Sequence, residues 1–478
     1  MESIQYKTKI AAIWNIIEKF FIQIISFSIN IILARLLSPK DYGTIGLLTV
    51  FLNISNVFME GGFTKALIQK KDRSESDYST VLLFNLIISI FIYGLLYLIA
   101  PFIAKFYQIQ ELTKVSRVLF LILIINSLTI IHNTILQIQI NFKKIAIFNL
   151  ISTLISGITA IIFAYKGFGV WTLVIQALLK SFLTCLFYWF FSHWFPRSFF
   201  SFSSFKQLFG FGSKLLIGRL LTEVLQSLNN LILGKVYLAD NLGYYTRAQQ
   251  FPEIIAGTIN NVVSGVTFPL FSALQDNKEL LVDNLTKMIK LSAMVIFPCM
   301  FGISILSKPI ILVLLGEKWQ NSISLLSWLA LSYLFLPITC LNANVIQVIG
   351  KAGLYLKLLI VNFILNIISI MITFSISLKA VVIGKFIVSV IYFLMHTFLV
   401  GKLFNFGTIR QIKCIIKYFF SSLVMTLIIY FLRFIISSSL FYLIAGIISG
   451  VVIYSICLFL LKDELFLTYC KKIRYKIK

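Results

Sequence analysis

A chain of 478 residues that is 59% hydrophobic and only 12% charged is not a soluble globular domain, because such domains carry about 25% charged residues. A mean hydropathy of +0.95 points the same way. The net charge of +25 would suggest nucleic acid in a soluble protein, but here the basic residues sit in short loops between apolar runs, where they face lipid headgroups, and no nucleic acid partner is expected.

Apolar runs of the roughly 20 residues that a bilayer core requires fill nearly the whole chain. They predict membrane helices near residues 10–34, 42–60, 80–104, 114–138, 145–165, 169–192, 207–237, 243–271, 285–306, 322–348, 355–376, 379–400, 415–435 and 438–461. The first carries Glu18 and Lys19. It is too long for a signal-peptide core and no small-residue cleavage site follows it, so it is expected to remain in the protein. It ends on Asn30-Ile31-Ile32-Leu33-Ala34-Arg35, and a short polar turn then leads to Gly43. The sixth segment carries Lys180. Residues 193–206 are amphipathic and predict an interfacial cytoplasmic linker.

The seventh segment carries Arg219 and Glu223 and ends on Asn230-Leu231-Ile232-Leu233-Gly234-Lys235, with Gly243 at the position matching Gly43. Six apolar segments separate the two copies, an even number of crossings, so the copies are parallel; this is one of the known transporter plans. The expected fold is an all-α polytopic membrane protein of about fourteen transmembrane helices. It consists of two parallel six-helix lobes, at 1–192 and 207–400, plus a C-terminal helix pair at 401–461 and a basic tail at 462–478.

With the N-terminus placed in the cytoplasm, Lys and Arg in the inner loops and tails outnumber those outside, so both termini are expected to be cytoplasmic. In the tail, Lys471, Lys472, Arg474, Lys476 and Lys478 read as a topology anchor, each charge drawn to anionic lipid by about 1 kcal/mol. The cysteines show no C-x-x-C spacing, so neither a disulfide nor a metal site is expected. Trp14, Trp171, Trp194 and Trp319 fall near helix ends, where aromatic belts sit. Pro252, Pro298 and Pro337 lie inside apolar runs and predict kinks, either static or bending during a conformational cycle.

Enzyme signatures are missing. There is no phosphate-cradling G-x-x-x-x-G-K-[ST] loop, no H-E-x-x-H and no loop long enough for a catalytic domain. The chain therefore reads as a transporter without a cofactor. The informative residues are ionisable groups inside helices, each costing roughly 2.5–3.5 kcal/mol at the bilayer centre unless it faces a partner or water. Arg219 and Glu223 are four residues apart and share a helix face. With Glu18 and Lys19 they give the two repeat-related helices one cation and one anion each. Lys180, Arg247 and Glu253, beside Pro252, complete the set. Two readings stand. The charges line a hydrated cavity that holds an anionic group, or they are structural pairs, with Lys180 snorkelling and Arg247 at headgroup level. The amides Gln23, Asn30, Asn53, Asn56, Asn229, Asn230, Asn260 and Asn261 crowd the same helices. They suit either interhelical packing or a sugar-lined path.

Ala34-Arg35-Leu36-Leu37-Ser38-Pro39-Lys40-Asp41-Tyr42-Gly43 resembles the A-R-L-L-S-P-x-D-Y-G turn of the polysaccharide-exporter family that includes the colanic acid exporter and O-antigen flippases. Further matches run in order across the first two thirds of the chain: Gly62-Phe63 with Ala66-Leu67-Ile68-Gln69, Tyr78-Ser79-Thr80, Phe84-Asn85, Gly167-Phe168-Gly169-Val170-Trp171, Leu242-Gly243-Tyr244-Tyr245-Thr246-Arg247-Ala248, Phe268-Pro269 and Leu315-Gly316-Glu317-Lys318-Trp319. The resemblance implies the multidrug/oligosaccharidyl-lipid/polysaccharide exporter superfamily. It implies alternating access and a substrate of sugars on undecaprenyl diphosphate, moved to the periplasmic leaflet of a bacterial inner membrane for surface polysaccharide synthesis. It also implies coupling to a proton or sodium gradient, and polysaccharide assembly proteins as partners. Lys19, Arg219 and Arg247 fit the role of holding the pyrophosphate. Glu18, Lys180, Glu223, Asn230 and Asn260 complete the expected cavity lining. A membrane glycosyltransferase or polymerase, and a drug exporter of the same superfamily, are the competing readings.

Overall fold

A computed structural model of the chain describes residues 21–60, 62–70 and 72–468. They form helices and no strand. Two compact units divide the chain, Met1–Gly243 and Tyr244–Lys478. The first holds α1 (Phe21–Leu36), then α2 (Pro39–Glu60), α3 (Phe63–Gln69), α4 (Glu75–Tyr107), α5 (Leu112–Leu119), α6 (Leu121–Ile138), α7 (Phe142–Tyr165), α8 (Val170–Ser192) and α9 (Phe202–Val236). Helix α10 (Ala239–Ala273) starts at the end of that unit and runs into the second. There follow α11 (Lys278–Ile305), α12 (Ser307–Ile310), α13 (Ser322–Ser332), α14 (Leu336–Val348), α15 (Ala352–Thr373), α16 (Leu378–Phe404), α17 (Thr408–Ile435) and α18 (Ser439–Leu460).

Among the described residues, 12 spans are long and apolar enough to cross a membrane, α5–α6 and α13–α14 each counting as one. The two expected segments outside that set are α1, shorter in its described part, and the 35-residue α9. These are the first and seventh segments, the ones that carry the repeat. Outward-facing side chains confirm the solvent: Phe91, Leu98 and Phe102 on α4 are 65%, 71% and 72% exposed. Water would penalise such a face by about 25 cal/mol per Å² of apolar surface, whereas acyl chains do not. The chain is a multi-pass membrane protein.

In the first unit, Phe63, Leu67, Val81, Leu82, Ile131 and Ile135 form a core near the start of α4. The 193–206 stretch packs onto it. Trp194 donates its indole N–H to Glu75 Oε2 at 2.9 Å. Ser201 N–H donates to Thr80 Oγ1 at 2.9 Å, and Phe205 stacks on Phe63. Phe195, Phe199 and Phe202 of this stretch stay exposed, leaving an apolar edge as an interfacial segment would. The start of α4 is closed by a capping box between Ser74 and Asp77. Asp77 also pairs with Lys70 at 2.7 Å.

The second unit is tied by buried polar pairs, which are costly unless fully satisfied. Asn342 on α14 and Gln411 on α17 exchange amide hydrogen bonds of 3.0 and 2.9 Å. Tyr454 on α18 donates to the Met294 carbonyl on α11 at 2.9 Å, and Tyr418 donates to Asp463 at 3.0 Å. The C-terminal pair α17–α18 is thus built into this unit.

Two sequence expectations are corrected. Trp319 is fully buried, edge-on to Tyr244, and is not part of a lipid-facing belt. Its helix-end position misled because the short turn Glu317–Trp319 folds inward. Pro337 kinks no helix interior: the 322–348 segment breaks after Ser332, and Pro337 occupies the first turn of α14, where its missing N–H costs nothing. Pro252 and Pro298 do lie inside α10 and α11.

Candidate functional site

The repeat reappears as the same helix–turn–helix at both copies. α1 ends at Leu36 and α2 starts at Pro39; α9 ends at Val236 and α10 starts at Ala239. The turn hydrogen bonds match too: Leu37 N–H to Leu33 O at 2.8 Å, and Tyr237 N–H to Leu233 O at 2.9 Å. Leu33 and Leu233 are both fully buried, as are Tyr42 and Leu242 nearly so. The two glycines explain themselves by close approach. A Cβ on Gly43 would fall on the Ala239 carbonyl, and one on Gly243 on the Pro39 carbonyl. The starts of α2 and α10 therefore cross backbone to backbone, each glycine receiving the other copy's first helical residue.

Of the expected site residues, Glu18 and Lys19 lie outside the described residues, as do the side chains of Arg219 and Asn230. The backbone of α9 puts residues 219 and 223 one turn apart. Glu223 is half-buried and accepts a hydrogen bond from Ser227 at 3.4 Å. Lys180 is half-buried near the middle of α8, with no side-chain partner among the described residues. Arg247 donates to Gln250 on its own helix. Asn260 is half-buried on α10 beside Cys340, and its Oδ1 accepts no hydrogen bond. Ser264 lies 3.0 Å from the same sulfur. Arg247 and Asn260 share α10 in the second unit, and Lys180 lies on α8 in the first. In the turn of the second copy, burial pushes the Tyr237 phenol above its usual range, so it stays neutral.

One cation was absent from the expected set. Lys385 stands seven residues into α16, inside the run Val381–Val388. Its ammonium donates to the Tyr245 hydroxyl at 3.1 Å. It also lies 5.6 Å from the Tyr245 ring centre and 5.4 Å from that of Tyr333. On α10, Tyr245, Gln249 and Glu253 follow at intervals of four and form one stripe. Gln249 donates to the Tyr333 hydroxyl and to Glu253 Oε2, both at 3.3 Å. Glu253 itself is exposed. Two desolvated cation–π contacts of about 0.5–2 kcal/mol each roughly offset the 2.5–3.5 kcal/mol that a lysine costs within a membrane helix. The cage holds the charge without neutralising it. The signal that selects Lys180, a lone cation in an apolar helix, selects Lys385 as well; the partners 52 and 140 positions away carry no such signal.

Comparison with known proteins adds lineage to this geometry. A profile of the family described as "Polysaccharide biosynthesis protein" matches residues 32–324. Teichuronic acid biosynthesis protein TuaB of Bacillus subtilis (strain 168) is 28% identical over 366 residues, covering 74% of each chain. Succinoglycan biosynthesis transport protein ExoT of Rhizobium meliloti (strain 1021) is 25% identical over 322 residues, covering 67% of this chain and 65% of its own. Among solved structures, the lipid II flippase MurJ in an inward closed conformation superposes with a TM-score of 0.77 at 20% identity, covering 95% of this chain and 99% of that one. The MurJ likeness speaks to fold.

Proposed function

The chain belongs to the polysaccharide biosynthesis protein family, and on that premise we propose that it is a flippase for oligosaccharide carried on undecaprenyl diphosphate. It moves this substrate from the cytoplasmic to the periplasmic leaflet of a bacterial inner membrane by alternating access, with both termini cytoplasmic, and hands it to polysaccharide assembly proteins. The observation that carries the reading is the coincidence of repeat and charge. The two copies share one helix–turn–helix, entered by α1 and by α9. In the sequence, Glu18 and Lys19 precede the first copy, and Arg219 and Glu223 precede the second.

A lipid-linked diphosphate needs fixed cations at membrane depth, and arginine's planar fork of donors suits phosphate. The glycan needs hydrogen-bonding side chains, which the amides of the same helices supply. TuaB, named for teichuronic acid biosynthesis, and ExoT, named for succinoglycan biosynthesis transport, support a cargo of this class. A site equally strong toward both faces lets substrate leave as well as enter. A proton or sodium gradient supplies direction.

The test is deletion of the gene followed by measurement of lipid-linked glycan on the inner leaflet. Accumulation there, relieved by the wild-type gene but not by Arg219→Ala inserted at normal level, is the expected result. No accumulation, with altered drug sensitivity instead, would replace this reading with drug export. Full export by Arg219→Ala would remove that residue from the site.

A further inference from the structure

Lys385 differs from the lysines that serve structure in this chain. Lys70 is held by a carboxylate at 2.7 Å. Lys385 has no carboxylate within ion-pair distance among the described residues, and its cage consists of neutral tyrosines. An ammonium has three donors, and the Tyr245 hydroxyl takes one. Its nitrogen is turned onto the rings of Tyr245 and Tyr333. The nearest acid on the facing stripe, Glu253, is exposed, with Gln249 between it and the cage. A cation so placed is positioned and unneutralised, and its unused donors can take an anionic oxygen.

We infer that Lys385 is a substrate-binding residue: its ammonium takes a phosphate or carboxylate oxygen of the lipid-linked glycan, Tyr245 holds it in position, and Glu253 competes for it. This rests on the transport reading above. Lysine acts as a point charge and accepts either anion, whereas an arginine fork would favour planar, bidentate groups. Glu253 lies two turns from Tyr245 on one face of α10. Its charge weakens the hold on the anion and so favours release.

The test uses the full-length protein in nanodiscs and two probes: undecaprenyl diphosphate without sugar, and a soluble glucuronate-containing tetrasaccharide. Lys385→Met is expected to weaken binding of the anionic probe by about tenfold or more, as loss of a desolvated charge does, while Lys385→Arg retains most of it. Glu253→Gln is expected to tighten the same binding by about threefold, because a repelling charge is gone. Loss confined to undecaprenyl diphosphate identifies the phosphate as the ligand, and loss confined to the tetrasaccharide identifies a sugar carboxylate. Wild-type affinity for both probes in Lys385→Met overturns the inference and leaves the flippase reading standing, provided Arg219→Ala still blocks export. A wild-type protein that binds neither probe overturns both. Should Lys385→Met not fold, Glu253→Gln changes an exposed side chain and decides the matter: unchanged affinity overturns the inference.

Discussion

Residues 30–43 and 230–243 trace the same backbone and are closed by different chemistry. In the first copy Ser38 caps α2. Asp41 N–H donates to its hydroxyl at 3.3 Å, while the Ser38 N–H and hydroxyl donate to Asp41 Oδ2 at 2.8 and 2.7 Å. Pro39 stands in the first helical position, already set in φ. The second copy has Leu238, Ala239 and Asn241 at the matching places, and its Leu238 side chain is 76% exposed. That entry to α10 rests on backbone hydrogen bonds from Asn241 and Leu242 to the Leu238 carbonyl. What the copies share is what geometry forces. Gly43 and Gly243 are both needed because each faces a carbonyl at backbone contact. What they do not share is what has substitutes, since a helix start can be satisfied by a side chain or by main chain and solvent.

The largest effect should come from filling the crossing. Gly43→Ala and Gly243→Ala each gain about 1 kcal/mol of helix propensity, but the new methyl meets a carbonyl that cannot swing away, and overpacking costs about 1–3 kcal/mol. Both variants should lower the melting temperature in detergent by similar amounts. A fall in only one of them would break the equivalence of the copies. The cap comes next. Ser38→Ala should cost about 1 kcal/mol, read in the same melt. Leu238→Ser, which introduces a cap where none exists, should recover a part of that amount on its own. If Ser38→Ala melts like wild type, the first copy does not depend on its side-chain cap. The smallest effect belongs to the cation at the end of α9. Lys235 donates to the Phe106 carbonyl at 2.7 Å and lies over the Phe106 ring at 4.2 Å, but it is exposed. Lys235→Met should shift the melt by no more than about 0.5–1 kcal/mol.

Much of the fold was legible because membrane insertion is a local property of sequence. Run length and apolarity place a helix in lipid whatever its neighbours are, so the segments near 80–104 or 415–435 were readable without knowing what α4 or α17 touches. The same locality explains the misplaced features. Whether Trp319 faces lipid or Tyr244, and whether Pro337 kinks a helix or starts one, depends on how a turn folds back onto other helices. Charges inside apolar runs are visible in the sequence, as at Arg219, Glu223, Lys180 and Lys385. The company such a charge keeps is not, because only packing brings Tyr245 and Tyr333 around Lys385.

From the sequence alone come the lipid solvent, the run of crossings, the ionisable groups that must be accounted for, and a short pattern that recurs after 200 residues, each read from stretches of about 20 residues without knowing their neighbours in space. Tertiary structure alone decided that Gly43 receives Ala239, that Asn342 and Gln411 lock α14 to α17, and that Lys385 sits against the rings of Tyr245 and Tyr333. Insertion rewards each helix separately, whereas a contact between residues far apart in the chain exists only after helices have packed, and its partners leave no periodic trace to read beforehand.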